Sequence, residues 1–223
     1  MSEMTPAEAW QQMKAGNERF VAGKPNHPRQ DVERRHQLAT IQVPDAALFG
    51  CSDSRLSAEI IFDKGLGDLF VVRNAGQVIS DSVLGSLEYA VAVLKVPLIV
   101  VLGHDACGAV HEAIVSCGPE AKPLPPHIAN IIRQIVPSVV KVAGQSGSAI
   151  VDADPMEVGK LHLRGTVAEM LGRSEMISAA VAEGTLAIVG ANYRLMEGTA
   201  VADVIIGNVD PIDAAGVTTP NAM

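Results

Sequence analysis

Three short apolar runs without polar alternation, at residues 46–50, 69–72 and 98–102, stand out along the chain. A half-solvated strand alternates apolar and polar positions, so unbroken runs of this length predict strands buried on both faces of a parallel sheet. Between the second and third runs, Val83, Leu84, Leu87, Val91 and Leu94 recur at helical spacing. That stretch supplies the crossover that a parallel pair requires. Helical patterns around 128–142 and 157–182 precede a fourth apolar run at 186–189. Strands alternating with helices predict an α/β fold, with a mainly parallel central sheet flanked by helices.

The ends of the chain follow different patterns. Thr5 can cap a helix that has Pro6 at its first position, and Trp10, Met13, Phe20 and Val21 form an approximate apolar stripe along it. Pro25 and Pro28 break that helix before a charged, helical segment at 31–38, and 119–126 is a proline-rich loop. No internal repeat or long linker interrupts the chain. The expected organisation is one domain over 1–209, its first 40 residues an N-terminal helical arm, with a C-terminal tail at 210–223.

Composition narrows the function. With 223 residues, 48% of them hydrophobic and 19% charged, the chain can bury a sizeable core and is not globally disordered. Seventeen basic against 25 acidic residues, a net charge of -8, argue against a phosphate-backbone ligand, so no nucleic acid is expected. The longest apolar runs fall far short of the roughly 20 residues that cross a bilayer. The first residues lack a basic start and an apolar signal core, so the expected location is the cytoplasm. Three cysteines are too few and odd in number for a disulfide framework. In a reducing compartment they read as ligands, reactive thiols or buried fillers.

The candidate chemistry sits where two strands end. After the first comes Cys51-Ser52-Asp53-Ser54-Arg55; if the chain stays extended there, a thiol, a carboxylate and a guanidinium share one face. After the third comes Gly103-His104-Asp105-Ala106-Cys107-Gly108, with an imidazole and a thiol three residues apart on one side of a helical turn. Open α/β sheets place their ligand crevices beyond the carboxyl ends of the strands. Two thiolates and one imidazole suit zinc and leave a fourth position for water. A phosphatase-like loop, the competing thiol chemistry, needs five residues between its Cys and Arg, and three are present here. A zinc ion closed by Asp53 as a structural clip is the non-enzymatic alternative. Singly these residues are weak signals: Cys117, with no spaced partner, reads as filler. His27, His36, His127 and His162 read as surface or locally hydrogen-bonding residues, and His111 as a helix-surface residue rather than a proton relay.

Cys-x-Asp-x-Arg followed about fifty residues later by His-x-x-Cys-Gly resembles the β-class carbonic anhydrases. The flanking segments Gly16-Asn17-Glu18-Arg19-Phe20, Phe70-Val71-Val72-Arg73-Asn74-Ala75-Gly76 and Glu88-Tyr89-Ala90-Val91 extend the likeness over nearly the whole chain. The resemblance implies one Zn2+ per subunit on Cys51, His104 and Cys107, with Asp53 and Arg55 as the partner dyad. The implied reaction is reversible hydration of carbon dioxide to bicarbonate by attack of zinc-bound hydroxide. Gln42 matches the substrate-binding glutamine of members with an open metal position. Phe70, Ala75 and Tyr89 match their apolar wall, and Gly108 would offer its backbone N–H to bicarbonate. In that family the glutamine and the aromatic wall come from different subunits. The resemblance therefore implies a dimer, or a tetramer, with the arm around Trp10 clasping the neighbour. Some members of the superfamily hydrolyse carbon disulfide or carbonyl sulfide, and others close the metal with the aspartate.

Overall fold

The computed structural model describes residues 4–210 of the 223. The helix α1 (Pro6–Val21) begins with a reciprocal capping box: the Thr5 hydroxyl accepts from Glu8 N–H while the Glu8 carboxylate accepts from Thr5 N–H. The charged helix α2 (Val32–Gln37) is capped by Asp31 and buries no residue. The strand β1 (Ala46–Cys51) follows, then the single turn α3 (Ala58–Ile61), β2 (Leu69–Asn74), a 3-10 turn over Ala75–Gln77, and α4 (Asp81–Ala92). Next come β3 (Leu98–His104), α5 (Gly108–Val115), α6 (Pro126–Ser146), α7 (Pro155–Arg173), α8 (Glu175–Ala182), β4 (Ala187–Tyr193) and β5 (Ala200–Ile206).

The sheet order is β2-β1-β3-β4-β5. The first four strands pair in parallel, and β5 closes the far edge antiparallel to β4. All residues of β1 and β3 are buried, as runs without polar alternation require. One face of the sheet packs Leu48, Leu98 and Val100 against Trp10 and Met13 of α1 and Ile61 and Phe62 near α3. The other packs Phe49, Ile99 and Val101 against Leu87 of α4 and Leu163, Val167 and Met170 of α7. A third cluster, built from α5, α6 and α7, includes Cys51 and Cys107 and encloses the end of the sheet where the candidate residues lie.

Trp10 is 3% exposed and Met13 0%, both buried against the chain's own sheet. Two expectations change. The helix expected over 157–182 is two: Ser174 ends α7 with an extended backbone, and its hydroxyl accepts from Ile177 N–H to start α8 while donating to Glu88. The strand β5 had no counterpart in the sequence pattern; its Ala-Val-Ala-Asp-Val-Ile-Ile is an edge strand in which several apolar residues stay exposed. Of the tail expected at 210–223, all but Asp210 lies outside the described residues. Among the described residues no helix is long and apolar enough to cross a membrane.

Candidate metal centre

Parallel pairing of β1 with β3 brings the two candidate loops to one end of the sheet, because both strands stop there in register: Gly50 pairs with Leu102. β1 ends at Cys51 and the chain turns at Ser54 and Arg55, so the expected extended run through 55 is cut short. β3 ends at His104. The following turn holds Ala106 in the left-handed region, at φ 47°, before Cys107 caps α5. Gly103, the last residue but one of β3, lets the Asn192 side chain approach closely: a Cβ there would stand 2.8 Å from its oxygen.

The result is a buried group of three donors. One ligand atom each from Cys51, His104 and Cys107 lies within 4.8 Å of the others, and the three residues are 5%, 5% and 6% exposed. His104 Nδ1 donates to the Asp105 carbonyl at 2.8 Å, which leaves the lone pair on Nε2. Among the described residues, His104 Nε2 and Gln77 Oε1 are buried side-chain polar atoms with no hydrogen-bond partner. A buried acceptor aimed at two thiols, with its other nitrogen tied to a carbonyl, is the usual form of a metal-binding histidine. Zinc–sulfur bonds near 2.3 Å and zinc–nitrogen bonds near 2.0 Å would need the donors within about 4 Å of one another, so the residues present fit the ion.

The charges agree. Hydrogen bonding from the Cys107 thiol, against the cost of burial, pulls the Cys51 thiol well below the ordinary cysteine range, helped by His104 and by the N–H groups of Gly76 and Asp53. Cys107, sharing that proton with Cys51 and buried, is pushed up. A divalent ion bound between the two sulfurs would displace the proton they share.

Asp53 and Arg55 form the expected dyad. Arg55 Nε donates to one carboxylate oxygen at 2.9 Å and a terminal nitrogen to the other at 2.7 Å, while Arg55 N–H reaches the first at 2.9 Å. Hydrogen bonding from Arg55 holds Asp53 far below the usual carboxylate range, so it is ionised at every physiological pH. Arg55 also donates to the Ala106 carbonyl at 3.1 Å, tying the two loops together. Asp53 is not part of the three-donor group.

Two supports escaped the sequence reading. Arg73 donates to the Cys51 carbonyl at 2.9 Å and to the Asp53 carbonyl at 2.8 Å, fixing the backbone on both sides of Ser52. Gly76 N–H donates to Cys51 Sγ at 3.3 Å. Once β1 and β2 are taken as neighbours, the Cys51–Asn74 register flags both, since each lies within two residues of Asn74.

The remaining expected residues are placed elsewhere. Gly108 opens α5 beside Cys107, and a Cβ on it would meet no atom within 4 Å. Ala75 is exposed at the start of the 3-10 turn. Phe70 pairs in register with Ala47, four residues before Cys51, so it sits about 13 Å along the sheet from the ligand end. Tyr89 packs on it, ring centroids 6.1 Å apart, and is 45% exposed. Gln42 is exposed three residues before Asp45, whose N–H bonds the Asp68 carbonyl just ahead of β2. Gln42 and the aromatic pair therefore lie toward the same end of their own sheet.

A mainly parallel α/β sheet with a buried Cys–His–Cys group at its carboxyl edge and an arginine-held aspartate beside it defines the class: an α/β scaffold with the donors to hold a metal ion. Residues 46–200 match the family model described as carbonic anhydrase. The chain is 50% identical over 209 residues to carbonic anhydrase 2 of Mycobacterium tuberculosis, covering 94% of this chain and 98% of that protein. It is also 50% identical over 198 residues to a carbonic anhydrase of Mycolicibacterium smegmatis, covering 89% and 93%. Among solved structures it resembles a Coccomyxa β-carbonic anhydrase in complex with acetazolamide, with TM-score 0.67 and 25% identity over 97% of this chain and 92% of that one. A tetrameric β-carbonic anhydrase from Sordaria macrospora gives TM-score 0.66 and 26% identity over 75% and 84%. The chain belongs to the carbonic anhydrase family, in its β class of zinc lyases.

Proposed function

We propose that this chain catalyses the reversible hydration of carbon dioxide to bicarbonate and a proton, with zinc held by Cys51, His104 and Cys107. The observation that carries the reading is the burial of these three donors within 4.8 Å of one another, with His104 Nε2 buried and without a hydrogen-bond partner among the described residues. Bound there, zinc supplies the Lewis acidity that makes water a nucleophile near neutral pH. Two thiolates offset the charge of a divalent ion, so activity should rise from neutral into alkaline pH.

The chain's own groups do the rest. Asp53, both of its oxygens engaged by Arg55, keeps lone pairs to accept a hydrogen bond from the nucleophile and orient it, and the same clamp opposes its moving onto the metal. This supports an open metal position over the closed form. Gly108 N–H and the Gln42 side chain donate to bicarbonate, while Phe70, Ala75 and Tyr89 form the apolar wall that admits an uncharged substrate. Because Gln42 and Phe70 lie at the far end of their own sheet, a second copy must bring them to this metal. Ile41 and Val43, flanking Gln42, are 60% and 65% exposed, which supports such a contact. The working form is accordingly a homodimer, or a tetramer built from two such dimers, in the cytoplasm, where thiols stay reduced.

Stopped-flow hydration of carbon dioxide tests this. The purified protein should lose activity on zinc removal by a chelator and regain it with one zinc per chain. Activity that survives complete metal removal contradicts the proposal. Turnover of carbonyl sulfide or carbon disulfide without turnover of carbon dioxide transfers the reading to the hydrolase branch.

A further inference from the structure

The 3-10 turn that offers Gly76 N–H to Cys51 is held from α7. The imidazole of His162, 6% exposed, lies with Nε2 2.7 Å from the Gly76 carbonyl. A carbonyl only accepts, so Nε2 carries the proton and donates. One turn further along α7, the single proton of the Thr166 hydroxyl is shared between the His162 carbonyl at 3.0 Å and the Gln77 carbonyl at 3.3 Å, a weaker hold on the same turn. At the other side of the turn the Asn74 side chain donates to the Val78 carbonyl at 2.7 Å and accepts from Val78 N–H at 2.9 Å. The turn needs this hold. Gly76 has φ 73°, Gln77 has φ 40°, and a left-handed non-glycine residue is strained and reverts unless its neighbours over-determine it. Nor can Gly76 be replaced to stiffen it: a Cβ there would stand 2.9 Å from Ile135 Cδ1 and 3.0 Å from Ala109 Cβ. Burial pushes the His162 imidazole down, so it stays neutral.

We propose that His162 is a positioning residue for the metal centre: by holding the Gly76 carbonyl from α7, it aims the Gly76 N–H at the Cys51 sulfur. That hydrogen bond fixes where the sulfur stands, a positioning whose loss outweighs the basicity the sulfur regains, and it lowers the energy of the sulfur lone pairs that a charge-transfer band reads. His162 touches neither substrate nor any of the three donors. Its effect on them passes through one residue. The inference rests on the metal-centre reading above, and the experiment separates the two.

Zinc affinity by chelator competition, together with the sulfur-to-cobalt charge-transfer absorption of the cobalt-substituted protein, reads the Cys51 sulfur without recourse to activity. His162→Leu keeps the volume and removes the donor; zinc should bind 10- to 100-fold more weakly, roughly the range for lost partners of a ligand, and the charge-transfer band should move to lower energy. His162→Gln places an amide N–H near the Nε2 position and should recover most of both. Thr166→Val, a milder loss on the same turn, should shift both in the same direction by less, and gives the answer if His162→Leu does not fold. Met170→Ala opens a cavity on the same helix away from the turn and should leave both unchanged. Parent affinity and an unmoved band in folded His162→Leu, or in Thr166→Val where His162→Leu fails to fold, overturn the inference. So does a His162→Gln no better than His162→Leu, or a Met170→Ala that weakens zinc as much. A parent protein that binds no stoichiometric zinc overturns the metal-centre reading and this inference with it.

Discussion

The two ends of the sheet treat chemically important residues in opposite ways. At the carboxyl end, Cys51, His104 and Cys107 are at most 6% exposed, and their loops are cross-tied by Arg55, Arg73 and the turn at Gly76. At the amino end of β2, Tyr89 is 45% exposed, and Ile41 and Val43 around Gln42 more so. One chain completes the first region by itself. The second presents apolar surface and an unengaged amide, as an edge does when another molecule covers it. The difference teaches that metal affinity should be a property of the single chain and turnover a property of the assembly.

The largest test removes a donor. Cys107→Ala should bring zinc content toward zero and lower kcat/KM by about three orders of magnitude or more, since water is then no longer activated; metal analysis beside the hydration assay reads both. Next, Tyr89→Glu places a charge on the exposed aromatic pair. It should shift sedimentation toward the single chain and lower activity with the assembled fraction while zinc per chain stays at the parent value. Loss of zinc in that variant would erase the distinction between the two ends.

Smaller effects sharpen the account of the metal end. Arg55→Ala frees Asp53 and unties the Ala106 carbonyl, and activity should fall by about tenfold with zinc retained. The sign of its pH dependence follows from Asp53 being held below its ordinary range. The stabilisation from that pairing is fully present above the unfolded carboxylate value, near 3.9, and is lost as pH falls through the folded one. The stability gap between parent and Arg55→Ala should therefore be constant from pH 5 to 8 and shrink below about pH 4 in acid-denaturation curves. Smallest, Cys117→Ser should leave zinc and activity unchanged and alter stability by less than about 1 kcal/mol.

How much of this was legible in the chain depended on whether a feature was local. Strands β1, β3 and β4 declared themselves because burial on both faces leaves apolar runs; β2 showed the same kind of run at 69–72 although, at the sheet edge, it is only half-buried; and the Cys51 and His104–Cys107 motifs stood out because each sits immediately after such a run. β5 did not, since an antiparallel edge strand is half exposed and its Ala202 and Asp203 break the pattern. The stripe around Trp10 was legible as something to be covered, but that the chain's own sheet covers Trp10 and Met13 was not. His162 and Arg73 were invisible as functional residues: each acts on a backbone group far off in sequence, and a carbonyl carries no sequence signature. The placement of Gln42 with Phe70 and Tyr89 required the register of β1 against β2, which spacing alone does not supply.

X-ray absorption at the zinc edge of the purified protein tests the central claim most directly. Convergence of the two loops on one ion predicts a first shell of two sulfurs, one imidazole nitrogen and one light oxygen, at one zinc per chain. A shell holding fewer than two sulfurs, or a chain that hydrates carbon dioxide at full rate without the ion, would contradict it.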